Sequence, residues 1–205
     1  MNMSPAELAM AICLGVGLAA ACGFRVFVPL FIASIALQAG WIPAANLAPG
    51  FAWVATPAAA VAFGLATLLE IGGYYVPWLD NLLDSIATPA AVIAGTLASA
   101  AFLGGMDPML QWGTALLAGG GAAAATQVFT VTTRAASTAT TGGMGNPIVS
   151  TAEAGSSIAL TLLAIVLPIL AAAVVLLAVV WIVRKLFGGR KPVHVTPTTL
   201  PPHVG

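Results

Sequence analysis

Six ionisable residues sit in or beside long apolar stretches of this sequence: Arg25, Glu70, Asp80, Asp84, Arg134 and Glu153. At the centre of a lipid-embedded helix, a charge of this kind costs about 2.5–3.5 kcal/mol on insertion scales. Side chains placed so expensively pair with one another, face inward or line a wet cavity, and by default they mark function. Asp80 and Asp84 stand four residues apart, which puts both carboxylates on one helical face with Cβ atoms about 5–6 Å apart. Two ionised carboxylates that close repel, so a proton, a cation or an arginine is needed beside them. The pattern therefore predicts a relay or ion site built from Asp80, Asp84 and Glu70, with Arg25 and Arg134 as partners. The competing reading is a set of paired charges that only fixes helix packing.

Arg134 belongs to a second signal. It lies in the stretch from Thr132 to Ser157, which is rich in Ser, Thr and Gly and also holds Asn146 and Glu153. Irregular backbone at membrane depth survives only where protein or water satisfies it, so this stretch is expected to be a broken helix lining a path. Arg134 would there attract an anion such as phosphate or a carboxylate. A polar loop outside the bilayer is the alternative. Glu153 has an alternative of its own, because Ser150-Thr151-Ala152-Glu153 fits a helix capping box. The candidate solute- or ion-binding residues are thus Arg25, Glu70, Asp80, Asp84, Arg134, Asn146 and Glu153.

Other chemistry is not expected. The apolar body has no histidine, and His194 and His203 both fall in the polar tail. No His-Glu-x-x-His, Gly-x-Ser-x-Gly or paired-cysteine motif occurs, so no enzyme, metal site or cofactor is expected. Two aspartates on one helix do not face each other across a cleft as an aspartyl-protease pair must. Gly15-Val16-Gly17 and Gly119-Gly120-Gly121 lie within apolar helices and read as close packing points. Cys13 and Cys22 point to opposite sides of one helix and are expected to stay reduced.

The elements that must position these residues are all helical. Ser4-Pro5-Ala6-Glu7 is a capping box with proline in the first turn, opening a helix that runs to about Gly23. Residues 26–39 span roughly 21 Å, short of a hydrocarbon core of about 30 Å, and suggest a half-helix. Residues 51–71 read as one full-length apolar segment, followed by a break at 72–78 where Tyr and Trp collect. Residues 79–87 read as a short helix, with a second one starting at Thr88-Pro89 and ending near Gly104-Gly105. Asp107 is expected to cap a helix from Met109 to about Val131. Residues 156–183 read as the longest helix, kinked at Pro168.

Composition sets the class. Of the 205 residues, 60% are hydrophobic and 6% charged, where soluble domains carry about 25% charged residues. Only lipid suits such a surface, so the expected fold is an all-α polytopic transmembrane bundle with short or broken helices. Six basic and six acidic residues cancel, and no basic stripe points to nucleic acid. Arg184, Lys185, Arg190 and Lys191 form the one basic cluster and place the C-terminus in the cytoplasm by the positive-inside rule. The transmembrane domain is expected over 1–187, with a disordered tail at 188–205. Arginine followed by Glu-x-Gly occurs twice, at Arg25 with Glu70-Ile71-Gly72 and at Arg134 with Glu153-Ala154-Gly155, which suggests an internal two-fold repeat of halves 4–105 and 106–187.

Several short motifs coincide in one order. They are Gly23-Phe24-Arg25 with Pro29-Leu30; Glu70 followed by Pro77-Trp78-Leu79-Asp80 and Asp84; and Thr133-Arg134 leading to Asn146-Pro147 and Ser150 to Glu153. In these the chain resembles the domain-of-unknown-function 4126 family of bacterial integral membrane proteins, to about residue 185. Where that pattern carries a charged pair between glutamate and proline, this chain has Gly73-Tyr74-Tyr75, so no salt bridge is carried over there. The resemblance implies a bacterial inner-membrane protein and no activity. Broken helices, intramembrane charge and the suggested repeat favour a small permease for an anionic or lipid-like solute, with proton coupling. The alternative is a non-catalytic membrane scaffold. The expected partners are lipids and a small solute, and small-residue helix faces would also allow a homo-oligomer.

Overall fold

The computed structural model describes residues 4–43 and 47–187. The elements in order are α1 (Pro5–Cys22), α2 (Phe27–Gln38), a 3-10 helix (Pro49–Ala55), α3 (Pro57–Gly73), α4 (Pro77–Ala101), α5 (Pro108–Thr114), a π-helical segment (Ala115–Gly120), α6 (Gly121–Thr141), α7 (Asn146–Val166) and α8 (Pro168–Phe187). No strand occurs among the described residues. Five helical stretches are long and apolar enough to cross a membrane, or six when the bent pair before and including α3 counts as one span. The expected disordered tail lies outside the described residues.

Local sequence accounts for the boundaries. The Ser4 hydroxyl accepts from the Glu7 amide while the Glu7 carboxylate accepts from the Ser4 amide, so the capping box forms. Asp107 caps α5 by accepting from the Met109 amide at 2.9 Å. Thr56 caps α3 through the Ala59 amide, and Pro57 follows in the first turn. That cap corrects the single segment expected over 51–71: the chain turns by 70° between the 3-10 helix and α3.

Three further expectations are corrected. The break expected at Pro89 is absent, and α4 continues through it. Proline removes one donor, and Ala91, Ala94, Gly95 and Ala98 beyond it pack closely on neighbouring helices. The irregular segment expected over 132–157 is mostly helix, because α6 runs on to Thr141. Its hydroxyls turn back onto their own helix: Thr132 donates to the Val128 carbonyl and Thr133 to that of Phe129. The true break is short, at Gly142 and Gly143, whose φ of 63° and 90° suit glycine. Finally, the long helix expected over 156–183 is a hairpin. Leu167, at φ −136° and ψ 68°, ends α7, and Pro168 starts α8.

Helix α1 is the axis, packing on α2, α4, α6, α7 and α8. The close approaches give the directions. Gly15 meets Ser99 and Ala19 meets Gly95, so α4 runs antiparallel to α1. Ala11 clusters with Ala115, and Gly23 meets Ala123 and Thr126, so α5–α6 runs parallel to it. Gly17 meets Ala164, and Ser157 donates to the Ala21 carbonyl, so α7 is antiparallel. Ala171 also meets Gly17, and Val175 clusters with Ala20, so α8 is parallel again. At Gly17 a Cβ would stand 2.6 Å from that of Ala164, which is why this contact needs glycine. Large apolar side chains such as Leu69, Leu117 and Leu177 face outward.

The bundle therefore has two distinct ends. The α1 C-terminus, the start of α4, the end of α6, the start of α7 and the end of α8 share one of them. Trp41 and Trp112, both exposed, lie toward the other.

Candidate functional site

At the first of these ends the candidate charges converge. Arg25 lies in the turn between α1 and α2 and is 1% exposed. Its Nη2 donates to Glu153 Oε2 at 3.0 Å, to the Ser150 hydroxyl at 2.6 Å and to the Ser150 carbonyl at 3.0 Å. Arg134, on α6, holds the same glutamate: Nη2 donates to Oε2 at 2.6 Å and Nε to Oε1 at 3.1 Å. Its Nη1 donates to Asp80 Oδ1 at 2.7 Å. Asp84, one turn further along α4, comes within 3.7 Å of Arg134 Nε, with a side chain still 32% exposed. Asn146 donates to Asp80 Oδ2 at 3.3 Å. The i, i+4 spacing of the aspartates thus does present both carboxylates to one partner, and that partner is Arg134.

Charge does not balance in this group. Asp80, Asp84 and Glu153 contribute three carboxylates, and Arg25 and Arg134 contribute two guanidiniums. Every nitrogen of Arg134 already faces a carboxylate, so the anion expected at Arg134 meets an occupied guanidinium. Arg25 Nε and Nη1 are buried without a hydrogen-bond partner among the described residues. Their compensation is an aromatic face: the Arg25 guanidinium carbon lies 3.7 Å from the Tyr74 ring centroid, and that of Arg134 lies 4.4 Å from it.

Glu70 has a different task. Its carboxylate accepts from the Val26 amide at 2.7 Å and the Phe27 amide at 3.0 Å, capping α2 from a neighbouring helix. No guanidinium hydrogen bond to it occurs among the described residues, and the contacts it makes anchor α2. The two Glu-x-Gly sequences consequently sit differently: Glu70 on α3, parallel to α1, and Glu153 on α7, antiparallel to α6. The capping-box reading of Ser150 to Glu153 is also corrected. Both residues lie inside α7, and both turn to Arg25.

Two participants escape the sequence reading. Tyr74 stands one turn after Glu70, where a charged pair was expected, and a tyrosine beside an arginine-bearing interior is the signal that points to it. Ser150 gives no signal of its own.

A cavity of about 370 Å³ opens beside the cluster. Tyr74, Tyr75, Asp80, Thr138 and Asn146 wall it, together with Gly142 and Gly143 from the turn between α6 and α7. Asp80 joins the two features: its Oδ1 accepts from Arg134, and the residue lines the cavity.

An all-helical bundle with five apolar spans and a buried ion cluster at one end defines a polytopic membrane protein. Over residues 12–187 the chain matches the family described as Domain of unknown function (DUF4126), and it belongs to that family. No curated protein and no solved structure matches it.

Proposed function

We propose that the protein is a small transporter of the bacterial inner membrane, with its solute site in the cavity at the charged end. The observation that carries this reading is the contact between that cavity and the buried cluster, made by the Asp80 carboxylate's ion pair with Arg134 and by Tyr74, which lines the cavity and lies against both guanidiniums. A solute hydrogen-bonded to Asp80 would compete with Arg134 for it, and so would pull on α4, α6 and α7 together. The unequal count of carboxylates and guanidiniums supports coupling to a proton. Helix α8 ends with Arg184 and Lys185 at the same end of the bundle, and on the positive-inside rule that end faces the cytoplasm. The cavity would then open inward and the N-terminus would lie outside.

A second reading has its own support. Buried ion pairs that tie four helical regions together are also what a purely structural clamp would look like, as in a membrane scaffold. The two readings separate on a solid-supported membrane carrying purified protein in liposomes. Concentration jumps of organic cations, amino acids, carboxylates and phosphate should drive a protein-dependent current for at least one class. That current should vanish in Asp84→Asn, whose exposed partner role makes the fold tolerant, and in Asp80→Asn, with detergent melting monitored for both. Silence across all classes in the folded wild type would favour the clamp.

A further inference from the structure

The walls of the cavity say more about its ligand than the cluster does. Asp80 is the one formally charged residue on the described lining, and the rest are neutral. Its two oxygens are unequally used. Oδ1 takes a 2.7 Å bond from Arg134, while Oδ2 takes only a 3.3 Å bond from Asn146. A carboxylate oxygen accepts more than one hydrogen bond, so Oδ2 keeps accepting capacity beyond its bond from Asn146. The Asn146 amide oxygen adds an acceptor, engaged only at 3.5 Å by Thr138. Tyr75, half exposed, adds an aromatic residue to the same lining. Acceptors, one negative charge, an aromatic residue and no cationic side chain together suit a cation that carries N–H groups. The three carboxylates around two guanidiniums strengthen that preference, because a bound cation would complete the balance.

We propose that this cavity binds a small organic cation with N–H donors, that is, a primary ammonium or a guanidinium group. The proposal rests on the transport reading only for the step from binding to passage. A soluble amine and an aminophospholipid headgroup share this chemistry.

Calorimetric titration of the detergent-purified chain with methylguanidinium tests it, with tetramethylammonium as a cation lacking N–H and phosphate as an anion. Methylguanidinium should bind saturably and more tightly than either. Asp80→Asn should weaken it by about tenfold, near the lower end for a hydrogen bond to a charged group. Asn146→Asp should tighten it, and Asn146→Lys, which supplies the cation from the chain itself, should abolish it. The Asn146 variants, read against their melting temperatures, keep the test decisive where Asp80→Asn fails to fold. Nanodiscs with and without phosphatidylethanolamine identify the source: competition by that lipid assigns a headgroup, and an unchanged dissociation constant assigns a soluble amine. No saturable heat, unchanged binding in folded Asn146→Lys, or tighter binding of phosphate would overturn the proposal. Binding without any solute-driven current would leave the site standing and remove the transport reading. An anion current without methylguanidinium binding would do the reverse.

Discussion

Glu153 is the carboxylate that both arginines share, and its loss should cost the most. Removing one partner from a buried ion pair leaves an uncompensated charge, with a cost of about 3–5 kcal/mol. Glu153→Ala is therefore expected to lower stability by that order, whereas Asp84→Asn, a third exposed and 3.7 Å from its partner, should cost under about 1 kcal/mol. Urea or thermal melts of the two variants in the same detergent check the contrast, and equal losses would contradict it. Tyr74 supplies a finer test. Tyr74→Phe keeps the ring beneath both guanidiniums and should be nearly silent, while Tyr74→Leu should cost about 2 kcal/mol or more, as for a desolvated cation–π contact. A meeting of Arg25, Asp80, Asp84 and Arg134 was legible in the sequence, because lipid leaves a charge few alternatives to another charge; Glu70 was expected with them, and Glu153 read equally as part of a capping box. Which charge meets which was not legible. The long-range pairing of Arg25 with Glu153, across 128 positions, follows from the order of packed helices and from no local pattern.

At the scale of elements, glycine sets how near the helices come. A Cβ on Gly95 would stand 2.6 Å from that of Ala123, at the crossing of α4 with α6. Gly95→Leu should cost about 1–3 kcal/mol or more through overpacking, whereas Gly113→Leu, with open space around it, should cost nothing and gain up to about 1 kcal/mol of helix propensity. Comparable losses in both would contradict close approach as the cause, since helix propensity alone favours leucine over glycine at either site. The same scale explains which boundaries were legible. Ser4, Thr56 and Asp107 carry their helix starts in their own side chains. Pro89 and Pro168 carry the same local message, yet one lies inside α4 and the other begins a hairpin. Packing along α4 offsets the single lost bond at Pro89, and only the direction of the next helix distinguishes the two. The hydroxyl-rich end of α6 read as a broken helix because Ser and Thr are weak helix formers, and their bonds to their own helix carbonyls cannot be seen before the helix exists.

For the whole molecule, antiparallel alternation along α1 leaves the N-terminus and the end of α8 at opposite ends of the bundle. On the proposed orientation, which turns Arg184 and Lys185 to the cytoplasm, a green fluorescent protein fused after residue 205 should fluoresce, and an alkaline phosphatase fused there should be inactive. Phosphatase activity in the C-terminal fusion would invert the proposed orientation and turn the cavity outward. The claim beneath all of these is that Asp80 and Arg134 belong to one buried, energetically coupled cluster. A double-mutant cycle of Asp80→Asn and Arg134→Gln, read as melting free energies in one detergent, measures that most directly. A coupling energy above about 1 kcal/mol is expected for residues in one ion-pair network, and additive losses within about 0.3 kcal/mol would contradict it.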